Sequence, residues 1–270
     1  MPVADLDELR KQVAETWWYH TLELAPGLET PGWFDTRPVL DRIPFPADLS
    51  GRRCLDIGTF DGFWAFTMER RGAGEVMAID VPDPRVWDWP ANSPPEAIEQ
   101  ISSRRPGSGF ALAAAVFDSK VERRELSVYD LDPAQVGTFD FVYVGSLLLH
   151  LRDPVGALMK VRKVCSGSLL LVDAVSLSLG LAARPAATLD GMGRPWWWKP
   201  NVEALVRMVE AAGFSPTGKP VRLFMPPGKA QEKPDLSVGA LRLLRNRAGR
   251  DALVSAWKGD PHAAVAATVR

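Results

Sequence analysis

The stretch Cys54-Leu55-Asp56-Ile57, followed at once by Gly58-Thr59-Phe60-Asp61-Gly62, constrains this chain more than any other. The apolar run ending near a carboxylate suits a buried parallel strand. The glycines permit a tight reversal or a close approach of backbone to a ligand. From Phe63 to Arg71 the apolar residues Phe63, Ala65, Phe66 and Met68 recur at roughly helical spacing, and Gly72 can end the helix. Strand, glycine turn and helix in that order outline a nucleotide-binding unit, with loop amides and a helix N-terminus facing the ligand.

The remaining chain extends this unit into an alternating pattern. Residues 75–79 form a second strand ending at Asp80, 121–128 a third, 139–144 a fourth that is apolar on both faces, and 168–172 a fifth ending at Asp173. Helices are predicted over 95–105, 109–118, 153–165 (Asp153 as N-cap, Pro154 at the first position) and 201–212 (Asn201 as N-cap, Gly213 as stop). A sixth strand spans 214–224, broken by Pro216 and Pro220; a helical segment covers 236–257, and a last strand 263–270. The pattern predicts an α/β fold, a doubly wound, seven-stranded and mainly parallel Rossmann-like sheet with its ligand crevice at the carboxyl ends of the strands. Ahead of it, residues 4–18 read as an amphipathic helix with Leu6, Leu9, Val13 and Trp17 on one face, and a Pro-, Gly- and aromatic-rich segment to Pro46 includes a short helix at 37–43. Residues 1–50 are therefore assigned to an N-terminal cap and 51–270 to the main domain, with insertions at 174–200 and 226–258.

Bulk properties exclude several classes. A formal net charge of −1 gives no global sign of a polyanion binder. No run of about 18 apolar residues is present, and the N-terminus lacks the order of a signal peptide, so a cytoplasmic chain with no membrane partner is expected. Cys54 and Cys165 read as buried, inert thiols, and no metal site is assigned. The unusual feature is ten tryptophans against three tyrosines, clustered at 17–18, 87/89 and 196–198.

The glycine turn does not match a dinucleotide fingerprint. Phe60 and Phe63 stand where the second and third glycines belong, and a phenylalanine obstructs the backbone approach that a pyrophosphate needs. An NAD dehydrogenase is thereby disfavoured, and no Gly-Lys-Ser/Thr marks a P-loop. The motifs LDIGTFDGFWAF, then Asp80, then FDFVYVGSLLLHLRDP, resemble the class I S-adenosylmethionine-dependent methyltransferases over roughly residues 53–214. The flanking segments HTLELAPGLETPGWFD and WWWKPNVEALVRMVEAAGF further resemble a subset related to the tRNA wobble-uridine (carboxy)methyltransferases.

That resemblance implies S-adenosylmethionine as cofactor and S-adenosylhomocysteine as product. It implies that the loop of Gly58, Thr59, Phe60 and Gly62 wraps the amino-acid end of the cofactor, with Asp56 organising the turn. Asp80 would hold the ribose hydroxyls and Val81 the adenine, Ser127 and Val128 would edge the adenine, and Gly145 and Ser146 would face the methionine moiety. The wobble-uridine enzymes carry a Tyr-His pair after the fourth strand and a lysine in the N-terminal segment for a carboxylated cofactor; this chain has Leu149-His150 and no lysine at 26–30, which favours the ordinary cofactor.

The cationic sulfonium tolerates aromatic faces, so Phe60, Tyr19 and Trp33 are candidates beside it. His150 and His20 are candidate general bases, whereas His262 is expected at the surface. Trp196, Trp197 and Trp198 cannot all point one way, so one ring is expected in the core and one in a substrate pocket that would suit an apolar or planar acceptor. Arg242, Arg245, Arg247 and Arg250, with Lys219, Arg222, Lys229 and Lys233, read as a solvated basic face; if RNA docked, it would dock there. The favoured expectation is methyl transfer to a small-molecule acceptor, with a tRNA uridine modifier and a non-catalytic binding protein of the same fold as alternatives.

Overall fold

The computed structural model describes residues 6–180, 184–231, 254, 255 and 257–270. The predicted helix 236–257 and the arginines at 242–250 fall almost entirely outside the described residues.

The chain begins with α1 (Leu6–Glu15), which buries Leu9 and Val13. It ends at Glu15, earlier than predicted, and the Thr16 hydroxyl just beyond it donates to the Gln12 carbonyl at 2.8 Å. The chain then turns so that Trp18 is buried, its indole donating to Val13 O at 3.0 Å, while Trp17 leaves the helix face to which it was assigned. A small antiparallel pair, β1 (Glu23–Ala25) and β2 (Leu28–Glu29), closes across Pro26-Gly27. The helix expected at 37–43 is a single 3₁₀ turn, Arg37–Val39, with Pro38 at its second position and Pro44 following the turn residues after it.

The main sheet follows. Its strands are β3 (Arg53–Ile57), β4 (Glu75–Asp80), β5 (Glu122–Glu125), β6 (Phe139–Gly145) and β7 (Cys165–Ala174), all in parallel register. The helices between and beside them are α2 (Phe63–Arg70), α3 (Pro95–Ser102), α4 (Gly109–Phe117), α5 (Pro133–Val136) and α6 (Pro154–Val164). The 174–200 insertion folds as the hairpin of β8 (Ala187–Leu189) and β9 (Trp198–Pro200), and α7 (Val202–Ala211) follows. Asp153 Oδ1 accepts from Gly156 N at 2.8 Å and Asn201 Oδ1 from Ala204 N at 2.9 Å, so both predicted caps form.

The C-terminal part differs from expectation. The single broken strand of 214–224 is two strands, β10 (Phe214–Pro216) and β11 (Val221–Met225), each pairing antiparallel with a different part of β12 (Asp260–Val269). The order is β10-β12-β7-β6-β3-β4-β5, with β11 also on β12. Seven sheet positions are thus filled, and Pro220 splits the outermost one. Cys165 starts β7; it does not end α6.

Alternation along the strands divides the interior in two. Leu55, Ile57, Ile79, Val142 and Val144 face α6 and α7. Cys54, Ala78, Phe141 and Tyr143 face α2, α4 and the cap, which adds Trp18, Val39, Phe45 and Leu49 to the same core. Because the cap is packed onto the α2 face, Tyr19 to Thr36 are held over the carboxyl ends of β3 and β6.

Candidate functional site

A cavity of about 420 Å³ opens at those strand ends. The glycine turn forms its floor. Gly62 takes φ +89° immediately before α2, and a Cβ there would lie 2.4 Å from Phe66 and 2.8 Å from Phe110, so the turn needs glycine on both counts. Phe60 sits at φ +54°, an uncommon conformation for a bulky residue. Asp80 holds it there: Phe60 N–H donates to Asp80 Oδ2 at 2.6 Å, and Val81 N–H donates to Oδ1 at 2.7 Å. Burial pushes the Asp80 carboxyl above its ordinary range, and these two amides act against that shift.

Of the residues singled out from the sequence, Gly58, Phe60, Asp80, Val81, Ser127, Val128, Gly145, Ser146, Tyr19, His20, His150 and Trp196 line this one cavity. Asp56, Thr59 and Gly62 lie beneath it. Asp56 is 1 % exposed, its Oδ2 has no hydrogen-bond partner, and burial pushes its carboxyl up to about 7. Three tryptophans stand apart from the pocket expected for them. Trp33 is turned outward because its backbone is committed to Trp18 O and to Gly228 and Gln231. Trp197 and Trp198 donate their indole N–H groups to Asp88 O at 2.6 Å and Arg152 O at 3.1 Å, so they fasten the insertion to the loops that follow β4 and β6. Only Trp196 of the triplet lines the cavity, with the Arg194 guanidinium 4.1 Å over its ring.

The histidines also divide. His20 is buried and packs against Phe63, ring centroids 5.5 Å apart. Its Nδ1 pairs with Oδ1 of Asp61, a fully buried carboxylate whose Oδ2 accepts from Tyr19 N at 2.7 Å and His20 N at 2.9 Å. In the tautomer that donates Nδ1–H to Asp61 Oδ1, the ring's lone pair is on Nε2. His150 donates Nδ1–H to Pro195 O at 2.6 Å, and burial holds its pKa below the ordinary histidine value.

His262 is not at the surface. It lies on β12, 3 % exposed, with Nδ1 on Asp260 O at 2.9 Å and Nε2 on Ser146 Oγ at 3.0 Å; burial depresses its pKa too. Its placement next to the cavity follows from the position of β12 inside the sheet, between β7 and the β10/β11 edge, which local sequence does not reveal. Ser146 has φ +49° at the end of β6 and also hydrogen-bonds the Tyr19 phenol, whose pKa is raised chiefly by burial.

Sequence reasoning missed further residues of the site. Asp61 was legible only as part of the turn. Asp173 was read as a strand end; it accepts from Leu147 N and Leu148 N at 2.9 and 2.7 Å and shapes the segment bearing His150, while burial pushes it up to about 6. Thr36 and Tyr143 line the inner end of the cavity, and their hydroxyls are buried without a hydrogen-bond partner. Trp17 lines it too, its ring edge-on to Phe60 at 5.3 Å.

The donor set fits a phosphate-free nucleoside. Asp80 offers a carboxylate to hydroxyls, the loop presents Phe60 where a phosphate would need open backbone, and the orphaned Thr36 and Tyr143 hydroxyls meet a further polar end.

No protein-family model matches the chain. The tRNA U34 carboxymethyltransferase of Ectopseudomonas mendocina (strain ymp) is 26% identical over 176 residues, covering 64% of this chain and 48% of that protein. The ubiquinone biosynthesis O-methyltransferase of Neisseria meningitidis serogroup C (strain 053442) is 30% identical over 145 residues, 53% of this chain and 50% of that protein. The chain spans about half the length of the curated relatives it matches. Among solved structures, the N-terminal domain of EvdMO1 with SAH and D-fucose superposes at a TM-score of 0.56 and 16% identity, covering 99% of this chain and 98% of that one. The [4+2]-cyclase SpnF superposes at 0.53 and 17% identity, covering 98% and 93%. The chain has the fold of the class I S-adenosylmethionine-dependent methyltransferases.

Proposed function

We propose that the chain is an S-adenosylmethionine-dependent methyltransferase acting on a small-molecule acceptor. The observation that carries this reading is the single cavity in which Gly58, Asp80, Ser127, Gly145 and Ser146 converge from four strand ends under an aromatic cap. When bound, S-adenosylmethionine supplies an electrophilic methyl group on a sulfonium. Asp80 accepts from the ribose hydroxyls, and Val81, Ser127 and Val128 frame the adenine. Phe60 and Tyr19 offer ring faces to the cationic end. The cap, through Tyr19, Phe34 and Thr36, excludes water and orients the acceptor, which is most of what a transfer to a good leaving group requires. His20, its tautomer set by Asp61, takes the acceptor's proton at Nε2. His150 takes the lesser part, since its Nδ1 holds Pro195 and the insertion in place.

The EvdMO1 domain, solved with SAH and D-fucose, supports a compact acceptor at the level of fold. A second reading, a tRNA-modifying enzyme, is favoured by the name of the U34 relative. A third, chemistry other than methyl transfer in the same fold, is favoured by the cyclase SpnF. One experiment separates them. Calorimetry with S-adenosylmethionine and S-adenosylhomocysteine tests the cofactor, and transfer of a labelled methyl group into the low-molecular-weight or tRNA fraction of a cell extract tests the acceptor. Label in small molecules supports the proposal; label in tRNA alone, or tight binding with no transfer, overturns it in favour of the second or third reading.

A further inference from the structure

A chain of polar groups runs from β12 to the cavity, and its chemistry allows it only one direction. His262 is buried and held between β7 and β11, opposite Ala174 and Leu223. Its Nδ1 lies 2.9 Å from the Asp260 carbonyl. A carbonyl oxygen can only accept, so Nδ1 carries the hydrogen of that bond. Burial depresses the His262 pKa, so the ring is neutral and Nε2 holds a bare lone pair. Ser146 Oγ, 3.0 Å from Nε2, therefore donates its one hydrogen there. Only lone pairs remain on Ser146 Oγ, so the Tyr19 phenol, its other partner, donates to one of them. Burial raises the Tyr19 pKa, so the phenol keeps the proton that this bond uses.

The consequence falls on the cavity, which Tyr19 and Ser146 both line. The Tyr19 ring is packed against Phe34, Phe60 and His20 at centroid distances of 5.3, 5.0 and 4.9 Å. Its hydroxyl has one hydrogen, already spent on Ser146, so it offers the cavity a lone pair and nothing else. The unpartnered Thr36 and Tyr143 hydroxyls can turn either to donate or to accept; Tyr19 cannot. In the tautomer paired with Asp61, the adjoining His20 also presents a lone pair, at Nε2. We propose that His262, acting through Ser146, is a positioning residue that fixes the Tyr19 oxygen as a hydrogen-bond acceptor, and that the methyl acceptor carries a second hydrogen-bond donor, a hydroxyl or N–H, beside the group to be methylated. A ligand without that donor leaves a buried lone pair unmatched, which is how such a site rejects an analogue. The inference rests on the methyltransferase reading and adds a specificity determinant to it.

The test uses the full chain saturated with S-adenosylhomocysteine and two probes of similar shape, catechol and 2-fluorophenol. Both carry a phenol, and only catechol carries a second donor. Equilibrium dialysis gives the ratio of their affinities. Catechol should bind about three- to tenfold tighter to the unaltered chain. The ratio should approach one in Tyr19→Phe, Ser146→Ala and His262→Phe. A merely structural role for His262 would weaken both probes alike and leave the ratio where it was. Should His262→Phe fail to fold, Ser146→Ala carries the same test, because the Ser146 N–H keeps its bond to Val172 O at 2.8 Å. Nitrogen NMR of histidine-labelled protein supplies a second readout, since the chain has three histidines. His262 should show a protonated Nδ1 and a bare Nε2, and its Nε2 signal should shift in Ser146→Ala. Binding of neither probe, a ratio near one in the unaltered chain, a ratio preserved in the variants, or a His262 protonated at Nε2 overturns the inference. Failure to bind S-adenosylhomocysteine would be a failure of the methyltransferase reading itself, which calorimetry detects separately and on which the tautomer readout does not depend.

Discussion

The proposed function gives Asp80 two jobs on one carboxylate, fixing the turn and holding the ribose, and the substitution Asp80→Asn separates them. Its oxygens accept from Phe60 N and Val81 N at 2.6 and 2.7 Å, and each keeps a lone pair for the cavity. Asparagine retains one acceptor and places an NH₂ against the other backbone N–H, so one buried donor loses its partner. That costs about 1–3 kcal/mol of stability in the ligand-free protein. The same change converts two charge-assisted contacts to the ribose into at most one neutral contact. At about 1.5–3 kcal/mol for each charge-assisted bond, the expected loss is roughly 2–4 kcal/mol, or about 30- to 1000-fold in S-adenosylhomocysteine affinity by the usual conversion. Calorimetry measures the affinity and thermal melting of the ligand-free protein measures the stability. The two readouts must move together but not equally. An affinity within threefold of the unaltered chain would refute the ribose assignment, and an unchanged melting temperature would refute the idea that Asp80 fixes Phe60.

Three other perturbations follow from the same geometry. Asp61→Ala removes the acceptor of two backbone N–H groups and of His20 Nδ1; a loss of about 3–5 kcal/mol in urea unfolding is expected, with new proteolytic cleavage between Tyr19 and Thr36, and an unaltered digest would count against the cap being held by this residue. Burial raises the Asp56 carboxyl to about 7 in the folded chain, whereas unfolded Asp titrates near 4. Its stabilising contribution is therefore full below about pH 4 and falls as the pH rises through about 7, by a total of order 4 kcal/mol; the stability of Asp56→Asn should vary less with pH between 5 and 8, and parallel curves would refute the shift. Gly62→Ala meets both a positive φ and ring atoms at 2.4 Å, while Gly27→Ala has a positive φ but open space. Melting should fall far more for the first than for the second, for which strain of about 1–2 kcal/mol is expected; equal losses would refute the packing argument.

What the sequence disclosed and what it withheld divide by the range of the interactions. β3, the turn and α2, the acid ending β4, and the capped helices α6 and α7 are written in contiguous residues, so periodicity and capping rules reach them. The placement of β12 between β7 and the β10/β11 edge depends on pairings across the whole chain, and its small residues Ala263, Ala264, Ala266 and Ala267 give little local signal of a central strand. His262 was misplaced for that reason alone. Trp18, not Trp17, joins the core because α1 stops at Glu15 and the chain turns, with the Trp18 indole bonded to Val13 O. Asp61 was visible in the turn, but its partners lie 41 and 42 residues away.

That long-range contact bears on how one fold supports different chemistry. The five residues Gly58–Gly62 are held from two sides: Asp80 fixes Phe60 from the sheet, and Asp61 reaches from the turn itself to the backbone of Tyr19 and His20 in the cap. On the proposed reading, the side of the cavity that suits the nucleoside is built from the ends of β3, β4 and β5 and the segments that follow them. On the same reading, the side facing the acceptor is built from the cap and the 174–200 segment, with His262 near the start of β12 bonded to Ser146. A sheet of this kind can therefore keep its nucleoside site while the cap and insertion change what is placed against it. Here the cap contributes Tyr19, His20, Phe34 and Thr36 to the cavity and the segment ahead of β9 contributes Arg194, Pro195 and Trp196, while Asp61 of the turn ties the two sides together through the backbone of Tyr19 and His20.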